Sequence, residues 1–214
     1  LVLKWIANLA RDARILDAVE SVLGPNILCW TTNFFVKEPG DRTFVSWHQD
    51  ATYWGLGGQQ ICSAWLAFTP SNRESGCMRV IPGSHRKLVP HADTFDDRNL
   101  LSRGQEISVE VDEDNAVDIE LEPGQMSLHH VQIVHGSDPN NSPLPRIGFV
   151  IRYISTEVEQ TTGFRDSAML VRGEDRFGHF DLETAPTSDF DPNALAHLNE
   201  LREKRRQILY REVS

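Results

Sequence analysis

The sequence predicts a mainly β protein, an antiparallel sandwich or jelly roll with flanking α-helices. Three observations carry this. From residue 27 to about residue 155 the apolar residues recur with a period of two. Turn-forming clusters cut that stretch into about eight short strands. No helical pattern stands between those strands, so the alternation that a parallel α/β sheet requires is missing.

The elements follow in order. Trp5, Ile6, Leu9, Ile15, Leu16, Val19 and Leu23 recur mostly at three- and four-residue steps, which predicts one leading helix. Gly24-Pro25 ends it, because glycine caps the C-terminus and proline cannot continue the ladder. Strands are expected over residues 27–36, 44–50, 61–69, 77–81, 107–111, 117–121, 125–135 and 146–155. Turn residues separate them, among them Glu38-Pro39-Gly40-Asp41, Pro82-Gly83-Ser84 and Glu122-Pro123-Gly124. Residues 86–105 are charged and irregular and read as a surface excursion or short helix, and residues 181–193 read as a loop. A closing helix is expected over residues 194–211, with Leu195, Leu198, Leu201, Ile208 and Leu209 on one side.

The chain has 214 residues, which suits one large domain or two small ones. It is read as a single domain over residues 1–214. Its 31 acidic side chains against 21 Lys and Arg give a net charge of -10, so there is no basic footprint for nucleic acid. The charge-free stretch 51–72 contains Gly-Gly-Gln-Gln and cannot serve as a membrane span. No apolar signal-peptide core opens the sequence. The three cysteines, Cys29, Cys62 and Cys77, lack CxxC spacing, and their odd number suits reduced thiols in the cytoplasm. The expected partner is a small molecule; the sequence sets no oligomeric state.

The segment Ser46-Trp47-His48-Gln49-Asp50 carries the most chemistry. On an extended strand residues i and i+2 share a face, so His48 and Asp50 can hold one metal ion together. One imidazole and one carboxylate are two thirds of the facial triad that binds non-haem Fe(II). The third ligand must be a distant histidine. His135, expected to end the strand over residues 125–135, is followed by Gly136 and Ser137 and, eleven residues on, by Arg146. His129 shares its face by even spacing but lacks those followers. The strands carrying His135 and Arg146 read as a hairpin, which would place the two side chains close together. A guanidinium inside an apolar barrel needs an anion, and a dicarboxylate held at its far end supplies one.

At these residues the sequence resembles the phytanoyl-CoA dioxygenase family of Fe(II)/2-oxoglutarate oxygenases. Trp47-His48-Gln49-Asp50 is similar to its metal motif, and His135-Gly136-Ser137 with Arg146 to its second metal and cosubstrate motif. Segments 62–68 and 76–85 also match, so the resemblance runs from about residue 25 to about residue 155. It implies a double-stranded β-helix (jelly roll, cupin-like), with Fe(II) on His48, Asp50 and His135 as the catalytic centre. It further implies 2-oxoglutarate on Arg146, Ser137 and Trp65, with O2 as the oxidant. The implied reaction hydroxylates an aliphatic C–H bond of a small metabolite and yields succinate and CO2. Family members carry more chain before the first long helix, including a residue that helps hold the cosubstrate, and that part of the family domain is missing here.

A halogenase of the same family would need a vacancy where Asp50 stands, which disfavours that alternative. A non-catalytic jelly-roll binding module is the alternative from another class. Trp30, Thr32, Tyr53 and Trp54 fall near the proposed mouth by sequence, and Arg172 is a candidate substrate or lid residue. Arg152 reads as a rim salt bridge, and His85 as a residue that stabilises a turn.

Overall fold

The computed structural model describes residues 1–209, and side chains through residue 203. In chain order the elements are helices α1 (Lys4–Leu9) and α2 (Ala13–Leu23), then strands β1 (Ile27–Lys37), β2 (Val45–His48), β3 (Leu56–Gly57) and β4 (Ile61–Ala67). There follow β5 (Met78–Val80), β6 (His91–Asp93), β7 (Gln105–Ile107), β8 (Val117–Ile119), β9 (Met126–His130) and β10 (His135–Ser137). The chain continues with β11 (Arg146–Ser155), β12 (Glu159–Gln160), β13 (Ser167–Arg172), β14 (Asp181–Leu182) and helix α3 (Pro192–Leu209). One sheet has the order β14-β13-β1-β11-β4-β9 and a second the order β2-β10-β5-β8. This is the mainly β architecture the alternation predicts. Two compact units divide the chain, and β1, β4 and β11 each contribute residues to both.

The first unit comprises residues 1–32, 55–62 and 151 onward. Its leading segment forms two helices where one was expected. The break falls at Asp12, whose extended backbone starts α2 and whose carboxylate accepts the Arg14 N–H at 3.0 Å. Gly24 closes α2 at φ 82°, as the Gly-Pro pair predicts. Strand β13 was not foreseen; it pairs antiparallel with the start of β1 and parallel with β14. Helix α3 begins at Pro192 and buries Leu201. The expected roles of Ile208 and Leu209 lie outside the described side chains, and Arg211 outside the described residues.

The second unit comprises residues 33–54 and 63–150. Trp65, Ala67 and Val150 form a buried core cluster against which Phe35 and Leu121 pack. Three expectations need correction here. The strand foreseen over residues 125–135 is two strands, β9 and β10, split by a turn that the Ile133 N–H closes on the His130 carbonyl at 3.0 Å. His135 therefore opens a strand instead of ending one. β10 pairs with β2 and β5, whereas β11 belongs to the other sheet, so no β10–β11 hairpin exists. Buried Asn140 shapes the connecting loop, donating to the carbonyls of Lys37 at 2.9 Å and Leu144 at 2.8 Å. Lastly, the stretch expected to be irregular supplies a two-stranded sheet, β6 with β7.

Candidate metal centre

Strand pairing brings the two histidines together. In the β2–β10 ladder His135 stands directly opposite His48, and the ring centroids lie 4.1 Å apart. Asp50 does not continue the strand as expected. It opens a short 3-10 turn over residues 50–52, while Gln49 keeps the extended conformation. That one extended residue suffices to return the carboxylate to the histidine, with Asp50 Oδ1 3.4 Å from His48 Nε2. All three side chains are buried, and each offers a ligand atom within 4.8 Å of the other two.

Both imidazoles are set in the tautomer that a metal needs. His48 Nδ1 lies 2.9 Å from the Ser46 carbonyl and His135 Nδ1 3.0 Å from the Ile133 carbonyl. A carbonyl only accepts, so each Nδ1 carries the hydrogen and each Nε2 presents its lone pair. Burial, with His48 alongside, holds the His135 imidazole at a pKa of about 3, so it is neutral across the physiological range. His129 lies on β9, with its ring 5.1 Å from that of His135, and is not among the three converging residues.

Gln49, between the two ligands of the β2 end, is fully buried. Its carboxamide donates to the carbonyls of Lys87 at 2.9 Å and Gln132 at 2.7 Å and accepts the Val89 N–H at 2.9 Å. Its backbone N–H donates to His91 Nε2 at 2.9 Å. Sequence reasoning quoted Gln49 within the motif but assigned it no task, and it gave none to His91.

The three residues expected to hold the cosubstrate, Arg146, Ser137 and Trp65, are buried as well. Arg146 is 2% exposed; its Nη2 donates to the Gly76 carbonyl at 2.9 Å, and its guanidinium carbon stands 5.4 Å from the centre of the Trp65 ring. Its Nε has no hydrogen-bond partner among the described residues. With no acid beside it among the described residues, burial pulls its pKa down to about 10. Ser137 is held by Lys37, a fully buried residue that sequence reasoning missed. A lysine closing an apolar strand just before Glu-Pro-Gly reads as a solvated end, and no spacing signals otherwise.

The remaining candidates are placed differently. Trp30, Thr32 and Arg172 belong to the first unit, whereas the His-Asp-His cluster lies in the second. Trp30 Nε1 donates to Asp166 at 2.8 Å, and Arg172 is tied to Asp17 at 2.7 Å and to Glu20. Arg172 is thus tied to α2. Arg152 donates to Thr31 Oγ1 at 3.3 Å. Trp54 is half-buried, Tyr53 packs edge-on against His91 at 5.5 Å, and His85 sits in the turn after β5.

The chain is similar to known proteins over most of its length. The chain is 28% identical over 162 residues to a probable alpha-ketoglutarate-dependent hypophosphite dioxygenase of Stutzerimonas stutzeri, covering 71% of this chain and 54% of that protein. It is 30% identical over 167 residues to an ectoine dioxygenase of Nocardia farcinica, covering 71% and 56%. The chain therefore spans about half the length of the curated relatives it matches. Among solved structures it superposes on the non-heme monooxygenase ThoJ in its apo form with a TM-score of 0.87 and 40% identity, covering 99% of this chain and 78% of that one. It also superposes on CytC3 with Fe(II) and alpha-ketoglutarate, with a TM-score of 0.62 and 25% identity, covering 86% and 71%. The family model of phytanoyl-CoA dioxygenase matches residues 6–148, a span that includes His48, Asp50, His135 and Arg146, and the chain belongs to that family.

Proposed function

We propose that the chain is the catalytic part of an Fe(II)- and 2-oxoglutarate-dependent dioxygenase that hydroxylates a small molecule. The observation that carries the reading is the buried convergence of His48, Asp50 and His135, with both Nε2 lone pairs free for a cation. Two imidazoles and one carboxylate suit Fe(II) and leave coordination positions open. Arg146, a buried cation with an unpartnered Nε and no acid beside it, fits the distal carboxylate of 2-oxoglutarate. Together with O2, Fe(II) and 2-oxoglutarate supply the oxidant that inserts one oxygen into a C–H bond as the cosubstrate becomes succinate and CO2.

The residues of this chain bind, orient and exclude water. Asp50 completes the ligand set and takes no part in proton transfer; because its carboxylate fills the position a halide would need, hydroxylation is favoured over halogenation. Trp65 backs the guanidinium of Arg146. The named relatives act on ectoine and hypophosphite, which supports a small-molecule substrate. Three free, buried cysteines support a reducing, cytoplasmic setting.

Succinate release that requires both Fe(II) and 2-oxoglutarate separates an enzyme from a binding module. His135→Ala is expected to abolish both metal binding and succinate release, while His129→Ala retains the metal. The reverse pattern would falsify the ligand assignment.

A further inference from the structure

We infer that Lys37 fixes the direction of the Ser137 hydroxyl and thereby makes it a hydrogen-bond donor to the distal carboxylate of the cosubstrate; this rests on the cosubstrate reading above. Lys37 Nζ donates to the Ser137 carbonyl at 3.1 Å, to Ser137 Oγ at 2.6 Å and to the Asp138 carbonyl. A protonated lysine has three donors and no acceptor, so these bonds use it completely and Ser137 Oγ can only accept from it. The hydroxyl hydrogen is left over, and no acceptor for it stands among the described residues. Arg146 Nε–H is left over in the same way. A carboxylate has two oxygens to receive two such donors.

The charges point in the same direction. Burial and then the neighbouring Arg146 cation lower the Lys37 pKa to about 7, while Asp138, Cys77 and Asp41 act in the opposite sense. Two cations thus share a buried space, and among the described residues neither is paired with a side-chain carboxylate. Loss of the Lys37 proton would turn Nζ into an acceptor, and the Ser137 hydroxyl would swing back to it. Lys37 is therefore a positioning residue that acts through Ser137.

The test compares two ligands with the same metal-chelating end. Binding of 2-oxoglutarate and of 2-oxovalerate, which lacks the distal carboxylate, is measured by calorimetry on Ni(II)-loaded protein without O2. Lys37→Met is expected to weaken 2-oxoglutarate about tenfold or more and to leave 2-oxovalerate unchanged. Equal weakening of both, or of neither, would show a lysine that only ties strands together and would overturn the inference. Should the variant melt before it can be titrated, the wild-type protein decides. Its preference for 2-oxoglutarate over 2-oxovalerate is expected to fall as pH rises from about 7 to about 9, and a flat profile overturns the inference. A wild-type protein that binds neither ligand overturns the cosubstrate reading instead.

Discussion

One glycine governs how Trp65 meets Arg146. A Cβ on Gly148 would stand 2.0 Å from Trp65 Cζ2 and 2.6 Å from Cε2, so alanine there cannot coexist with the indole as it lies. Trp65 is only 5% exposed and has little room to retreat. Arg146 lies two residues earlier on β11, on the same face, and rests over the same ring. Gly148→Ala is therefore expected to displace the indole and weaken 2-oxoglutarate binding toward the level of Arg146→Ala. That variant should lose about 2–3 kcal/mol, roughly 30- to 150-fold. Arg152→Ala should change the affinity far less. Ligand titration checks all three, and an unchanged affinity in Gly148→Ala would sink the argument. Arg146 was legible in the sequence because it follows His135-Gly136-Ser137 at a fixed step. Gly148 was not: a strand glycine reads as a weak point, and only the position of a side chain from another strand gives it meaning. Lys37 was illegible for a related reason, since its acceptors lie about a hundred residues away.

The end of β2 shows how an element is held for chemistry. Gln49 staples the two ligands that flank it to residues 87, 89 and 132, and its backbone N–H finds His91. Gln49→Ala removes the carboxamide and leaves the part-buried Val89 N–H and two carbonyls without it, at a cost of about 0.5–1.5 kcal/mol for each bond lost. Because partners that orient ligands tune the metal, we expect Ni(II) affinity to fall roughly 10- to 100-fold. Metal titration of the purified variant measures this; full affinity at a reduced melting temperature would show that the staple stabilises the fold without aligning the ligands. Strand β11 was legible to the residue because polar turn residues bound it on both sides. β9 and β10 were merged because Val131-Gln132-Ile133-Val134 contains no Gly or Pro. Their turn is made by a local side chain and a distant one instead: the Gln132 N–H meets His130 Nδ1 at 3.1 Å, and the Val134 N–H meets Ser84 Oγ at 2.8 Å. Asp50 left its expected strand at the same place, yet alternation still identified it as the partner of His48 because Gln49 alone had to stay extended.

Over the whole molecule, buried titrating groups and not the net charge set the pH of greatest stability. The mainly β class and the acidic balance were both legible in composition and alternation, and a sequence pI of about 5.2 is the naive guess for that optimum. Burial lowers the pKa of His135 to about 3 and also lowers that of His91, from an ordinary 6.5. As pH falls below 6.5, the unfolded chain takes up protons that the folded protein refuses, so stability drops. Lys37, lowered from 10.5 to about 7, works at higher pH: between those values the unfolded chain holds a proton the folded protein has lost, and stability rises with pH. The buried thiols oppose it. Burial raises Cys29 from 9.0 to about 12 and Cys77 to about 11, so above pH 9.0 the unfolded chain ionises first and stability falls. Tyr153, also raised by burial, adds to that decline above its ordinary 10.0. The metal-free protein should therefore be most stable between about pH 7.5 and about pH 9, well above its pI. Melting temperatures across a pH series at fixed ionic strength measure this, and Lys37→Met should flatten the rise between about pH 7 and about pH 9. A maximum near the pI would show that surface charge outweighs the buried groups and would sink the prediction.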